Sequence, residues 1–507
     1  MPKFLRQTLY LAFNQGLANQ TMSIYSKLSI VNKQLEQRSF ERALGWIGHV
    51  FFFLLLVLSL LYYKERLLHF DAANYTFQLL YFEDFYIGHD RWISAPTQLL
   101  PLLAIKLGAS LQTVLQIYSA SFILFYYTIF LAIVYVFKQP KVGVFLALAL
   151  CLTMRYKFYG PVGEVILSIG SVALLLAWLW RGDVLAYLSA GWNYVISGLL
   201  VLVLILTGHP FAALSLLFVL GFYWISERKW WDKEFWMMTG VAVILLGRKY
   251  LSLQKEGSYE AGQMDNLQEG TKMLTQFQDY YVFDRIVYFF DTEYAFPFAI
   301  FVVSLLVLLY QKRWLLVGFL LLSQVGMLAA IMITFSYLND PIYILLDGYL
   351  SHLGVIWALP IVYVFLADRK VWSVALLVLL LGFGVERIHQ KREFFQKRLG
   401  LIEATMNPFL EQGHRKVLHH MDHFDWQQLW LPWAIGVETL MYTALKGPDQ
   451  AATLYFQQAR FDEEEHAQSQ DAFLGVQYDP FLFKLDDLPP QWFQLPAGAY
   501  HRISPQN

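Results

Sequence analysis

The chain has 507 residues, of which 57% are hydrophobic, 17% aromatic and only 15% charged, and its formal net charge is -1. Soluble proteins carry roughly 25% charged residues, so this composition excludes a soluble enzyme, a nucleic-acid-binding protein and a disordered scaffold. The apolar residues come in continuous runs such as Val50–Tyr63, which are typical of membrane-spanning helices. The composition therefore predicts a polytopic α-helical membrane protein embedded in a lipid bilayer.

The N-terminal segment 1–43 lacks the pattern of a cleaved signal peptide, and we expect it to lie in the cytoplasm or along the membrane surface. A helix needs about 20 apolar residues to cross a bilayer, and fewer where neighbours bury its ends. This rule predicts a membrane domain over residues 44–385 with about eleven transmembrane helices. They are 44–63, 111–137, 142–154, 161–180, 193–207, 210–225, 235–247, 295–310, 314–337, 352–367 and 371–385. The shorter stretch Pro96–Leu107 contains Pro101 and is predicted to be a re-entrant or interfacial helix.

The short loops predict the orientation of the chain. Cytoplasmic loops carry an excess of Lys and Arg, and with the N-terminus inside, every short inner loop holds at least one of them. These loops are Lys138–Lys141, Arg181–Asp183, Ser226–Glu234, Gln311–Arg313 and Asp368–Lys370. On the other face, Thr207–Pro210 and Leu338–Ser351 hold none. The pattern predicts a cytoplasmic N-terminus and an external C-terminus, as in a multi-pass protein of a bacterial inner membrane.

Residues 386–507 are predicted to form a small external (periplasmic) α/β domain. Strands are expected at Arg415–His419 and Ala452–Phe456, with a helical stretch at Asp425–Lys446 that Leu-Pro-Trp interrupts. If His419 and His423 lie in a helix, they share one face and could bind a metal ion as a pair. If they lie in a strand, they do not converge on one ion. No metal site is predicted. The only cysteine is Cys151, so an intramolecular disulfide is excluded.

The first external loop, Lys64–Ala95, holds the most suggestive acid. Asp71 lies in the sequence His-Phe-Asp-Ala-Ala-Asn-Tyr, eight residues beyond the first span and beside Phe70 and Tyr75. A partly desolvated carboxylate at this depth can act as a base toward a hydroxyl group. Asp is also a preferred N-cap, here for a helix starting at Ala72. The local sequence leaves both roles open.

The order of these features is similar to that of the GT-C superfamily of membrane glycosyltransferases. The similarity comprises a first span, an early external Asp, a Pro-bounded interfacial helix, about eleven spans and an external α/β tail, and it covers residues 44–385. It implies a sugar donor linked to polyprenyl phosphate, and a glycan, lipid or protein acceptor on the external face. By the same similarity Asp71 would be the base in an inverting displacement. The family often has paired acids at this place, whereas Ala72 follows Asp71 here, so the use of a divalent cation stays open.

A lipid-phosphate donor requires cations near the external headgroup layer, because the leaving phosphate must be neutralised. Arg155 and Lys157 break the positive-inside pattern on that face, and Arg91 is a further candidate. The two basic residues at 155 and 157 can equally extend to ordinary lipid phosphates. Supporting roles are considered for Glu83, Asp84, Glu164, His209 and His352, each of which also has a structural interpretation as a helix end, an ion-pair partner or an interfacial residue.

Three functions are consistent with this pattern. The first is a polyprenyl-phosphate-sugar glycosyltransferase. The second is a flippase or transporter for a lipid-linked glycan, although the spans 111–137, 193–207, 210–225 and 295–310 contain no charged residue. The third is a non-catalytic scaffold of the same architecture, with residues 386–507 as a docking surface for an envelope protein partner.

Overall fold

The computed structural model describes residues 35–88, 91–181, 189–253, 276–336, 343–367, 371–420, 429, 431–457, 467–477 and 482–503. Most of the predicted N-terminal segment 1–43 therefore lies outside the described residues. The helices before the tail are α1 (Leu35–Leu61), α2 (Tyr63–Leu67), α3 (Phe70–Phe82), α4 (Ala95–Lys106), α5 (Leu111–Leu131), α6 (Pro140–Cys151), α7 (Glu164–Leu179), α8 (Ala190–Thr207), α9 (Pro210–Glu227), α10 (Lys233–Leu253), α11 (Tyr281–Thr292), α12 (Ala295–Tyr310), α13 (Trp314–Thr334), α14 (Tyr343–Phe365) and α15 (Val371–Gln390).

Five helices of the described chain are long and apolar enough to cross a membrane, and a sixth span results if the bent pair α11 and α12, which meet at 82°, is counted as one. Three of them are α1, α13 and α14. The other two are the helix Leu111–Val136, which begins with α5, and the helix Val371–Glu411. The fold is that of a helical membrane protein, and the predicted count of about eleven spans is not confirmed.

Two of the predicted spans, 142–154 and 161–180, correspond to short helices that are enclosed by the rest of the protein. Helix α6 has 12 residues and α7 has 16, so α6 is about 18 Å long, whereas the hydrocarbon layer is about 30 Å thick. Nearly every side chain of both helices is buried by other helices. An apolar run in a sequence does not distinguish a helix enclosed by protein from a helix that crosses lipid.

Helix α13 has a long exposed apolar surface. Its side chains Trp314, Leu322 and Val325 are 63–71% exposed, and Leu315 and Leu321 extend the same apolar surface. A soluble protein rarely exposes an apolar patch of this size. This surface is therefore suited to contact with lipid chains.

The tail begins as a continuation of the last membrane helix. The helix Val371–Glu411 is 41 residues long, about 60 Å, and comprises α15 and α16 (Arg392–Glu411). The strands are β1 (Lys416–His420), β2 (Thr453–Gln457), β3 (Ala472–Leu474), β4 (Leu482–Lys484) and β5 (His501–Arg502), and α17 (Ile435–Ala444) lies between β1 and β2. β1 pairs in parallel with both β2 and β5, and β3 pairs with β4 as an antiparallel hairpin. The two predicted strands of this α/β region are confirmed to within one residue.

The tail and the membrane helices share one hydrophobic core. Helix α3, which follows the first span, contributes Phe77 to this core, and its ring lies 4.9–6.1 Å from the rings of Phe473, Phe483 and Phe493 of the tail. The indole Nε1 of Trp492 donates to the carbonyl oxygen of Ala109 at 3.0 Å. The tail is thus packed onto the helix that carries Asp71.

Candidate functional site

The backbone that leads into Asp71 has an uncommon conformation. Helix α3 begins at Phe70, so Asp71 lies in its first turn and not at the N-cap position that the local sequence also allowed. Phe70 has φ of 48°, a left-handed conformation that costs a bulky residue about 1–3 kcal/mol. Such conformations persist only where surrounding contacts hold them, and they are concentrated at functional sites.

A buried ion pair in the tail holds this conformation. The backbone N–H of Phe70 donates to Glu438 Oε1 at 2.7 Å, and Glu438 Oε2 lies 2.5 Å from Arg398 Nη2. The Arg398 guanidinium also stacks over the Phe70 ring at 4.5 Å. Burial raises the pKa of Glu438, and the nearby positive charge of Arg398 opposes that rise. The first free N–H groups of a helix need an acceptor, and here the acceptor comes from α17.

Asp71 lines a narrow cleft together with Lys157. The cleft is lined by His69, Phe70, Asp71, Ala72, Lys157, Gly160, Val162, Ile344, Leu345 and Leu431, and we call it the Asp71 cleft. Its volume of about 20 Å³ is enough for a water molecule but too small for a sugar. The Asp71 carboxylate is partly buried. The structure therefore places the predicted base and one predicted phosphate-binding cation in the same cleft.

Lys157 is positioned by a turn between α6 and α7. The backbone N–H groups of Arg155 and Lys157 both donate to Asp347 Oδ2, at 2.9 and 2.8 Å. The Lys157 ammonium donates to the carbonyl oxygen of Val162 at 3.3 Å. Burial lowers the pKa of Lys157, while the negative charges of Asp71, Glu164 and Asp347 partly offset this effect. The ammonium is therefore a desolvated cation held beside carboxylates.

A second ion pair lies next to the cleft. Arg91 Nη1 donates to Glu164 Oε2 at 3.1 Å, and both side chains are largely buried. Burial is the largest cause that raises the pKa of the Tyr75 hydroxyl, and the negative charges of Glu164 and Asp71 raise it further. The positive charge of Arg91 partly opposes this rise. Arg91, Glu164 and Asp71 therefore lie within electrostatic range of Tyr75. Four of the predicted charged residues thus form one cluster: Asp71, Arg91, Lys157 and Glu164.

Arg155 lies apart from the Asp71 cleft. Its guanidinium is fully buried and donates to the carbonyl oxygens of Cys151, Met154 and Leu152 at 2.6–3.0 Å. Cys151 is the last residue of α6, where the carbonyl groups of a helix need donors, and Leu152 and Met154 follow it. Glu293 Oε2 lies 3.9 Å from Arg155 Nε. This geometry favours a helix-capping role for Arg155.

The remaining predicted residues lie outside the cluster. Glu83 and Asp84 are at the opposite end of α3, where Glu83 Oε2 pairs with Lys106 at 3.4 Å. His209 caps α9 by accepting the N–H of Phe211 at 3.2 Å. His352 is buried, with Nδ1 2.7 Å from Ser215 Oγ and Nε2 3.1 Å from the Val165 carbonyl oxygen.

The described residues contain no group of three or more potential ligands that could hold a metal ion. His419 lies in strand β1, and its predicted partner His423 lies outside the described residues. The use of a divalent cation, which the family resemblance left open, receives no support from the described part of the chain.

Sequence reasoning missed the ion pair of Glu438 and Arg398. Glu438 is the single charged residue of α17, and a lone acid in an apolar helix usually marks a buried, paired group. That signal is present in the sequence. The sequence does not show that Glu438 pairs with Arg398 and contacts Phe70, because both residues are distant from Glu438 along the chain.

Comparisons of the chain with protein-family models, with curated proteins and with solved structures gave no match.

Gly163 provides a test of the position of Lys157. A Cβ atom at residue 163 would lie 2.8 Å from Lys157 Nζ and 3.1 Å from its Cε, so Gly163→Ala must displace the ammonium without removing its charge. If Lys157 binds a donor phosphate, we expect polyprenyl phosphate binding to weaken several-fold with little loss of stability. Gly318→Ala, where a Cβ has open space, is the control. Unchanged binding in Gly163→Ala would contradict the assignment.

Proposed function

We propose that the protein is an integral membrane glycosyltransferase that transfers a sugar from a polyprenyl-phosphate donor to an acceptor hydroxyl. The observation that carries this proposal is the shared cleft of Asp71 and Lys157, with the Arg91–Glu164 pair beside it. A half-buried carboxylate next to a desolvated ammonium combines a base with a cation that can neutralise a leaving phosphate.

In the proposed reaction, Asp71 takes the proton of the acceptor hydroxyl while the hydroxyl oxygen attacks the anomeric carbon of the donor sugar. The bond between that carbon and the phosphate oxygen breaks, and the polyprenyl phosphate leaves with the electron pair. The Lys157 ammonium stabilises the charge that develops on the phosphate. Arg91 would contribute only if it shared its charge between Glu164 and the phosphate.

The proposal includes the orientation predicted from the loops. The N-terminus lies in the cytoplasm, the Asp71 cleft and residues 386–507 face the periplasm, and the membrane is the inner membrane of a bacterium. Lysines and arginines in the short loops support this orientation. The acceptor, whether glycan, lipid or protein, would reach the cleft from the periplasmic side.

A non-catalytic scaffold is the second candidate, and the size of the cleft favours it. A volume of about 20 Å³ excludes a sugar unless the surrounding elements move apart, and conformational opening of this kind is common in enzymes. A scaffold would need no such movement. In that case residues 386–507 would act as a docking surface for an envelope protein, and Asp71 would have only a structural role.

Binding of undecaprenyl phosphate to the purified protein tests the proposal. A hydrogen bond between a cation and a phosphate contributes about 1.5–3 kcal/mol, so Lys157→Gln should weaken binding roughly 10- to 100-fold. Lys106→Gln, which removes an exposed lysine, should leave affinity unchanged. Because burial lowers the pKa of Lys157, the ammonium loses its proton at lower pH than an ordinary lysine, and affinity should fall as pH rises through that pKa. Equal affinity in both variants would contradict the donor site.

A further inference from the structure

A pocket separate from the Asp71 cleft lies at the beginning of the first membrane helix. It is lined by Arg38, Glu41, Arg42, Gly45, Trp46, His49, Val134, Tyr135, Lys138 and Pro140, and its volume is about 360 Å³. The first six residues follow a spacing of three and four along α1 and therefore share one face of that helix. The other four come from the end of the helix Leu111–Val136, from the connection after it and from the first residue of α6. We call this the basic pocket.

The charges of the basic pocket are suited to an anion. The pocket is lined by three basic residues, Arg38, Arg42 and Lys138, and by one acid, Glu41. The Glu41 carboxylate accepts a hydrogen bond from the Gln37 side chain at 2.8 Å. All three cations are exposed, and they form no ion pair with the residues that the structure describes. Cations that surround a cavity and pair with none of the described residues are suited to bind a ligand phosphate.

Aromatic residues give the pocket a fixed wall. His49 lies between two tyrosine hydroxyls, with Nδ1 2.9 Å from Tyr127 Oη and Nε2 2.7 Å from Tyr135 Oη. Trp46 and Tyr135 are 70% and 60% exposed. Exposed Trp and Tyr beside basic residues are typical of the headgroup layer of a membrane.

An apolar surface continues from the pocket along α1. Val50, Phe53 and Leu54 are 42–63% exposed and follow Arg42 and Trp46 on the helix at spacings of three and four. The surface therefore changes from cationic to apolar in the direction of the membrane interior. A free phosphate would use only the cationic end, whereas a phospholipid would use both parts.

We propose that the basic pocket binds an anionic phospholipid, with its phosphodiester headgroup held by Arg42 and Lys138 and its acyl chains along the apolar surface of α1. This site is separate from the proposed donor site. Helix α1 has 27 residues, about 40 Å, and Asp71 follows its other end. The lipid therefore occupies the opposite membrane face, and its binding does not depend on the glycosyltransferase proposal.

Native mass spectrometry of the purified full chain tests this site, with phosphatidylglycerol and phosphatidylcholine as probes. The Arg42→Gln, Lys138→Gln double variant should lower phosphatidylglycerol affinity roughly 25-fold, since each cation near a membrane surface contributes about fivefold. The matched control is the double variant Arg228→Gln, Lys312→Gln, which also removes two exposed cations. These two residues adjoin Glu227 and Gln311, which line a different pocket at the same end of α6. This control should retain wild-type affinity.

Each contrary outcome overturns the proposal. Equal loss in the two double variants would indicate a general charge effect, and equal affinity for phosphatidylcholine would remove the anionic specificity. If millimolar inorganic phosphate displaces phosphatidylglycerol completely, the ligand is a free phosphate and not a lipid. Elution of each variant as a single peak in size-exclusion chromatography establishes that it is folded.

Discussion

Asp71→Asn should lower sugar transfer by about 10²- to 10⁴-fold, the range that a general base contributes. The substitution keeps the size of the side chain and removes its negative charge together with its ability to accept a proton. Asp71 does not occupy the N-cap position of α3, so the helix should form in the variant. Binding of undecaprenyl phosphate should persist, because Lys157 is unchanged, and the loss should therefore appear in kcat.

Asp84→Asn is the matched control for this prediction. Asp84 lies at the other end of the same helix, and its Oδ1 accepts the N–H of Phe85 at 2.7 Å, a contact that the amide oxygen of Asn can also make. The control should transfer sugar at the wild-type rate. If Asp71→Asn folds in the membrane and transfers sugar as well as Asp84→Asn does, Asp71 is not the base, and the scaffold function gains support.

Glu438→Ala should lower the free energy of unfolding by about 3–5 kcal/mol, the usual effect of removing one partner of a buried ion pair. Both side chains of the pair are 1% exposed, so Arg398 would be left as an uncompensated buried charge. The variant also removes the acceptor of the Phe70 N–H. We therefore expect faster hydrogen exchange at residues 70–73 as well as a lower thermal midpoint in detergent.

Glu403→Ala distinguishes this effect from the loss of any ion pair in the tail. Glu403 pairs with Lys446 at 2.9 Å, and both side chains are more than a third exposed, so the loss should be at most about 1 kcal/mol. Exchange at residues 70–73 should not change in this variant. Equal destabilisation by the two substitutions would contradict the assignment of Glu438 as the group that holds the backbone before Asp71.

The membrane class and the strands of the tail could be predicted from the sequence, because long apolar runs and short apolar or aromatic runs are local signals. The predicted count of about eleven spans is not confirmed, and two of the predicted spans show why. Pro140–Cys151 and Glu164–Leu179 are as apolar as a membrane span, but they are enclosed by neighbouring helices. The partners of a helix depend on contacts between distant parts of the chain, which hydropathy does not record.

The same limit applies to the candidate site. Arg155 and Lys157 are two residues apart and were indistinguishable as predicted phosphate-binding cations, yet only Lys157 lines the Asp71 cleft. The pairing of Arg91 with Glu164 links residues 73 positions apart. Glu438 controls the backbone before Asp71 from 368 positions away. A residue's chemistry can be predicted locally, whereas its partners are decided by the packing of the tail on the membrane helices.

A cryo-electron microscopy structure of the protein with bound undecaprenyl phosphate tests the central claim most directly. The claim is that Asp71, as the base, and Lys157, as the cation that binds the donor phosphate, belong to one active site. We expect the phosphate in the Asp71 cleft, within hydrogen-bonding distance of Lys157 Nζ, with the cleft wider than its present volume of about 20 Å³. A phosphate bound elsewhere, with the cleft still closed and Asp71 away from the lipid, would contradict the claim.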